Sequence, residues 1–397
     1  MERLIDAAAA EMGIDRLTMR RRNHVTAGDM PYAAASGMTY DSGDFPAVFE
    51  KAVALADVAG FAQRKRDSAA RGRLRGLGIG SYLEVTAPPN KEMGGIRFDA
   101  DGGVTLITGT LDYGQGHAAP FAQVLGERLG IPFDRIRLHQ GDSDELVFGA
   151  GTGGSRSMMT SGAAIVEAAE KVIEQGRSLA GVALEAAAAD IEFRSGRFVI
   201  AGTDRAIGVL ELAQKIHRGL ALPADGPQSL DVSLVSQTIP SAFPNGCHVA
   251  EVEIDPETGV VEVVDYISVN DFGTIINPLL VEGQIHGGVT QGLGQVLMEV
   301  TAYDADGQLL TGSYMDYAMP RAGDTPFFRF VSHPVPATTN PLGVKGCGEA
   351  GCAGALTSLM NAICDALADH GIRHIDMPAT PQRVWQAIEA AKSKQAG

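Results

Sequence analysis

Gly343-Val-Lys-Gly-Cys-Gly-Glu-Ala-Gly-Cys-Ala-Gly354 is a glycine-rich run that holds one carboxylate, Glu349, directly ahead of an apolar helical pattern. Leu356, Leu359, Met360, Ile363 and Leu367 recur at spacings of three and four, which predicts a helix over 353–367 with one buried side. The N-terminus of that helix points at Glu349. Its free N–H groups and the positive end of its dipole favour an ionised carboxylate, and burial opposes it. Glycines on both sides leave a large ligand free to approach the backbone. The expected role of Glu349 is a base held ready beside a bound molecule. The plainer alternative is a strand-to-helix turn whose Glu is only a helix-start acid.

At 397 residues the chain can bury a substantial core and form two or more domains. Four cysteines, Cys247, Cys347, Cys352 and Cys364, lack a paired C-x-x-C arrangement. This argues against a disulfide framework, a zinc ribbon or an iron–sulfur cluster carried by this chain, and fits a reducing cytoplasm. The start, Met-Glu-Arg-Leu-Ile-Asp, has an early acid and only short apolar runs, so neither a secretory signal nor a membrane span is expected. A net charge of −16 opposes nucleic-acid binding. The basic run from Arg64 to Arg75 reads as a solvated helix face, with a subunit contact as the sharper option.

Working outward, residues 1–75 form a helical segment, with Asp44 ahead of Phe45-Pro46 as a helix cap. Residues 76–221 read as an α+β subdomain with two glycine-rich loops. Strand patterns at 77–85, 95–99 and 104–108 are expected to form one antiparallel unit. The stretch 222–233, with two prolines, is the internal boundary, and 234–397 is a second α+β subdomain carrying the Glu349 loop and the C-terminal helices. A hairpin turns at Pro256-Glu-Thr-Gly259. A glycine-interrupted helix from Pro278 is expected to lie close against another backbone. The fold class is α+β, with hairpins and loop-to-helix junctions prevailing over βαβ units.

The two loops, Gly114-Gln-Gly-His117 and Gly151-Thr-Gly-Gly-Ser-Arg-Ser157, share one logic. Bare backbone N–H groups, small hydroxyls and one cation precede a helix start, which suits a pyrophosphate or another oxyanion. Arg156 offers a planar fork, and Thr152, Ser155 and Ser157 can each donate one hydrogen bond. His117 has no second histidine at ligand spacing and reads as a donor to an anion. A zinc-hydrolase pattern and a serine-nucleophile elbow are both missing.

Taken in order, eight stretches resemble the molybdopterin-binding large subunit of the xanthine dehydrogenase, aldehyde oxidase and carbon monoxide dehydrogenase family. They are Gly114–His117 with Phe121-Ala-Gln123, Gly141-Asp142, Gly151–Ser157, Phe243-Pro-Asn-Gly-Cys-His248, Asp271-Phe-Gly-Thr-Ile-Ile-Asn-Pro278, Val281-Glu-Gly-Gln-Ile-His-Gly-Gly288, Met315-Asp-Tyr317 and Lys345–Gly351. The resemblance implies the cofactor-binding fold of molybdenum hydroxylases and a molybdopterin cytosine dinucleotide. Gly114, Gln115, Gly116, His117, Thr152, Ser155, Arg156, Ser157, Gln284, Lys345, Gly346, Cys347 and Gly348 map onto cofactor contacts. No side chain ligates molybdenum, which is held through the pterin.

Glu349 falls on the family's catalytic glutamate. There it takes a proton from a molybdenum-bound hydroxyl that attacks an electron-poor carbon, with hydride passing to a sulfido ligand. Electrons are expected to leave through separate iron–sulfur and FAD subunits. The resemblance covers the C-terminal half of such large subunits, so the N-terminal half is expected as a further partner. Gly153 and Ala118-Ala-Pro120 depart from the family pattern. The substrate is not legible. Two other readings stay open: a fragment or assembly component that holds no cofactor, and a binder of a phosphate-containing metabolite.

Overall fold

The computed structural model describes residues 1–396. The chain opens with α1 (Glu2–Met12), α2 (Arg16–Asn23), the short strands β1 (Tyr32–Ala33) and β2 (Thr39–Tyr40), α3 (Phe45–Leu55) and α4 (Phe61–Ala69). Next come β3 (Leu74–Leu83), β4 (Met93–Phe98), β5 (Val104–Thr108), α5 (Ala118–Leu129), β6 (Ile136–Gln140) and the long α6 (Ser157–Leu184). A three-stranded sheet of β7 (Ile191–Arg194), β8 (Arg197–Ile200) and β9 (Ala206–Gly208) leads to α7 (Val209–His217) and β10 (Val232–Val235). The chain closes with β11 (Asn245–Ile254), β12 (Val261–Asp271), α8 (Pro278–Leu297), β13 (Arg329–Ser332), α9 (Ala350–Leu367) and α10 (Pro381–Ala396).

Two four-stranded sheets carry the architecture. One runs β10-β4-β5-β6 and buries Ile96, Val104 and Leu106 against Phe121, Leu125 and Ile165 of α5 and α6. The other runs β13-β12-β11-β3. Its face toward α8 and α9 buries Ala250, Val252 and Tyr266, and its opposite face covers Phe49 and Ala52 of α3 with Ile79 and Val249. Each wholly buried aliphatic side chain contributes about 1.5–3 kcal/mol relative to exposure. α9 is apolar enough over Ala350–His370 to cross a membrane by length and composition, yet it is mostly buried in this core.

The anticipated local signals appear where they were placed. Asp44 caps α3 by accepting from the Ala47 N–H at 3.1 Å. β11 and β12 form the hairpin, with a register shift after Glu251. The glycines of α8 do bring it against another backbone: a Cβ on Gly288 would sit 3.0 Å from Gly351 Cα, and one on Gly292 would sit 2.7 Å from Ala355 Cβ.

Other expectations need correction. β3 does not join β4 and β5. It pairs along its whole length with β11, because its glycines fit it directly against the α9 backbone. β10, at the expected boundary, pairs with β4. The boundary at 222–233 is therefore crossed by one strand in each direction. The basic run is not a free face. Arg64 and Arg75 close on Glu251, which is buried, and Arg71 and Arg75 on Glu253, so strand carboxylates take up much of the charge, while Arg66 stays exposed.

Candidate active site

Each four-stranded sheet contains one parallel pair, β5 with β6 and β12 with β13. A parallel pair needs a crossover, here α5 in one case and α8 in the other, and it places both carboxyl ends at the same edge. The helices that follow these four strands, α5, α6, α8 and α9, therefore start from the carboxyl ends, where ligands collect in α/β folds. The loops after β5, β6, β12 and β13 all line one cavity of about 270 Å³.

Asn277 caps α8, accepting from the Leu280 N–H at 3.1 Å. The starts of α5, α6 and α9, at His117, Arg156 and Glu349, have no side-chain cap among the described residues. The dipoles and remaining N–H groups of α6 and α9 favour an anion, whereas at α5 the Asp112 carboxylate already accepts from the His117 N–H and Pro120 offers none.

Gln115, His117, Thr152, Ser155, Ser157, Gln284, Lys345, Gly346, Cys347, Gly348 and Glu349 all line the cavity. Gly114, Gly116 and Arg156 do not. The first loop is not a set of bare donors, because Asp112 has taken them. Its carboxylate accepts from the N–H groups of Gly114 at 2.7 Å, Gly116 at 3.1 Å and His117 at 2.8 Å. Burial raises the Asp112 pKa, but these three bonds and His117 outweigh it and hold the carboxyl below its usual value.

Arg156 is also a correction. Its guanidinium donates to the carbonyls of Pro88 at 2.8 Å and Ala150 at 2.9 Å, so the fork pins two loops from behind. His117 is buried and stacks on Phe121 at 5.1 Å. Burial lowers its pKa against the pull of Asp112 and Gln140, so it faces the cavity as a neutral imidazole.

Ser155 stands in the left-handed region at φ 53°, an uncommon position for a residue with a Cβ. Its hydroxyl accepts from the Glu349 N–H at 3.0 Å and lies 3.3 Å from Glu349 Oε2 as donor. Gly346 touches the Ser155 carbonyl so closely that a Cβ would collide with it. The second loop and the Glu349 loop thus meet backbone to backbone. Glu349 itself is exposed at the helix start.

Lys345 turns away from the cavity. Its ammonium sits 2.6 Å from Asp271 Oδ2, with both side chains wholly buried, and so ties the Glu349 loop to the end of β12. Burial, then the Glu84 carboxylate, pushes the Cys347 thiol up to about 12, so it is a neutral packing group.

Two carboxylates at this site went unnoticed in the sequence. An acid ahead of a glycine loop gives no sign that it will fold back on the loop's N–H groups, as Asp112 does. Glu84 ends a strand pattern, where an acid ordinarily faces solvent, and no local signal marks it.

A cavity entered by the α6 and α9 starts, with a carboxylate on one of them, is the setting of a class that holds a large anionic cofactor. Residues 51–326 match the molybdopterin cofactor-binding domain family, and the chain belongs to that family. Its α+β fold is the family's fold.

Among its relatives is the carbon monoxide dehydrogenase large chain of Hydrogenophaga pseudoflava, 32% identical over 98% of this chain and 50% of that one. The nicotine 6-hydroxylase large subunit of Paenarthrobacter nicotinovorans is 34% identical over 98% of this chain and 49% of that one. The crystal structure of quinoline 2-oxidoreductase from Pseudomonas putida 86 superposes with a TM-score of 0.88 at 33% identity, covering 98% of this chain and 51% of that one. The chain spans about half the length of the relatives it matches.

Proposed function

We propose that this chain is the C-terminal, cofactor-holding half of a molybdenum hydroxylase large subunit. It would act on a small molecule with an electron-poor carbon once the N-terminal half and redox subunits join it. The observation that carries the reading is the convergence of the α6 and α9 starts, whose N-cap residues make no side-chain cap, on one cavity beside Glu349.

That donor set fits a pterin dinucleotide. Unpaired N–H groups at helix starts suit phosphate oxygens. The hydroxyls of Thr152 and Ser157, the amides of Gln115 and Gln284 and the backbone at 345–348 suit a polar ring system with few charges. Molybdopterin cytosine dinucleotide is the form we propose. When bound, it supplies two-electron redox chemistry and Lewis acidity.

The chain's own residues do the rest. Ser155 holds Glu349 at both its N–H and one carboxylate oxygen, which fixes the direction of the base and leaves it open to the cavity. Glu349 accepts the proton that the reaction releases. His117, buried and neutral, donates or accepts without adding charge. Iron–sulfur and FAD subunits are the proposed electron outlets, and the cytoplasm the proposed compartment.

The test is the molybdenum and released CMP content of the chain, purified alone and after coexpression with a chain supplying the N-terminal half. Near-stoichiometric molybdenum and CMP after coexpression is the expected result. A well-folded complex without either would overturn the reading. Tight nucleotide binding without molybdenum would favour a phosphate-metabolite binder instead.

A further inference from the structure

Residues 298–328 connect α8 to β13 without an α-helix or a strand, yet they are tied down. The Leu310 N–H donates to the Ala302 carbonyl at 2.8 Å and the Ala302 N–H to the Thr311 hydroxyl at 3.0 Å. The Tyr317 hydroxyl donates to Glu299 at the end of α8. The polar groups thus bond within the connection, and its large apolar side chains point out. Tyr314 is 87% exposed, Met315 94% and Phe327 82%. A single apolar residue on a surface needs no reason, but Tyr303, Leu310 and Met319 of the same connection are exposed as well, and a concentration of this kind marks an interaction site.

Beside it, α8 leaves one face uncovered. Leu279 is exposed, and a Cβ on Gly283 or Gly287 would meet nothing within 4 Å among the described residues. Glycine inside a helix is destabilising relative to alanine. Gly288 and Gly292 offset this by close approach to α9, whereas Gly283 and Gly287 gain no contact from this chain. Phe327 joins the two parts, because its ring lies 6.1 Å from that of His286 on α8. On the neighbouring stripe of the same helix, Leu280 and Gln284 line the cavity. The uncovered surface therefore runs up to the cavity wall.

We infer that the α8 face around Gly283 and Gly287, with the apolar edge from Tyr314 to Phe327, is the surface on which the N-terminal half of the large subunit docks. This rests on the reading of the chain as one half of such a subunit and names where the halves join. About half the length of each relative has no counterpart in this chain. In those relatives both halves belong to one chain, so their contact is permanent. Permanent contacts are extensive and apolar, like a divided core, whereas electron-transfer contacts are small. An apolar edge beside a helix face bare enough for backbone approach fits the permanent kind. A partner seated there also backs the cavity wall that α8 forms.

The test is association of the full chain with a chain supplying the N-terminal half, read by copurification and by titration, without turnover. The wild-type chain should form a one-to-one complex. Tyr314→Asp combined with Met315→Asp should weaken it roughly thirtyfold or more, the scale of losing a hot spot. Gly283→Trp adds bulk only to the open face, so the chain alone should melt no lower than wild type while association falls about tenfold or more. Phe133→Asp, at an exposed aromatic on the crossover between α5 and β6, should leave association unchanged. The thermal midpoint of each variant alone separates lost docking from lost fold.

Unchanged association of the Tyr314→Asp, Met315→Asp chain, in a complex that still gains molybdenum and CMP, would overturn the docking surface and leave the proposed function standing. A well-folded wild-type chain that does not bind the N-terminal half would overturn both. A wild-type chain that pairs with its own copy, and is separated by the same two substitutions, would assign the surface to that copy and overturn the inference.

Discussion

The two glycine loops of this chain look alike in composition and end up chemically opposite. In the loop at 113–117, Asp112 folds back and occupies the N–H groups of Gly114, Gly116 and His117, so the loop meets the cavity through Tyr113, Gln115 and His117 and not through those donors. The loop at 149–157 contains no acid, and there Ser155 turns its hydroxyl to Glu349 while Arg156 braces the loop from behind. Glycine lets a ligand come near. Whether anything can be bound there depends on whether a neighbouring side chain has already taken the donors.

The largest effect should come from the carboxylate that the second loop serves. In the assembled complex, Glu349→Gln should lower kcat by about 10²–10⁴-fold while molybdenum content is unchanged, since the amide cannot take a proton. Near-normal steady-state turnover would break the distinction between a loop that serves chemistry and one that only shapes the wall.

Asp112→Ala should come next, and its effect should be on stability. Loss of three N–H bonds to a charged acceptor should cost about 2–3 kcal/mol, read as a lower midpoint in denaturant. The Asp112 pKa is lowered in the folded chain, so its contribution is full above the ordinary carboxylate range and fades as pH falls through the folded value. The gap between wild type and variant should therefore narrow in acid. A constant gap would mean that the first loop is not held by this charge.

Arg156→Ala should cost about 1–2 kcal/mol by leaving the carbonyls of Pro88 and Ala150 unpaired. Lost cofactor with unchanged stability would restore the fork to the ligand side. The smallest effect is expected at Gly153, where a Cβ would meet nothing within 4 Å. Gly153→Ala should change stability by less than about 0.5 kcal/mol, and a larger loss by thermal melt would show the second loop to be as closed as the first.

What the sequence made legible was local or periodic. The apolar spacing from Leu356 to Leu367 specified α9, and Asp44 with Pro46 specified the start of α3. Eight motifs in order specified the family. Pairing partners were not legible, because the strand pattern at 77–85 marks an extended segment and says nothing about which strand lies beside it. The direction of Arg156 depends on carbonyls contributed by distant loops. Asp112 was missed for the same reason: its partners are backbone N–H groups that only the folded chain brings within reach.

β3 and β10 give the chain one more property. Each lies in sequence on one side of the 222–231 stretch and is hydrogen-bonded to a sheet built mainly from the other side, or completed by it. A protease cut in that stretch would not release two domains. Each fragment would keep a strand lodged in its neighbour, and the nicked protein would stay whole until denatured. Either fragment made alone would be left with an open sheet edge and a tendency to aggregate, while the two made together should complement each other.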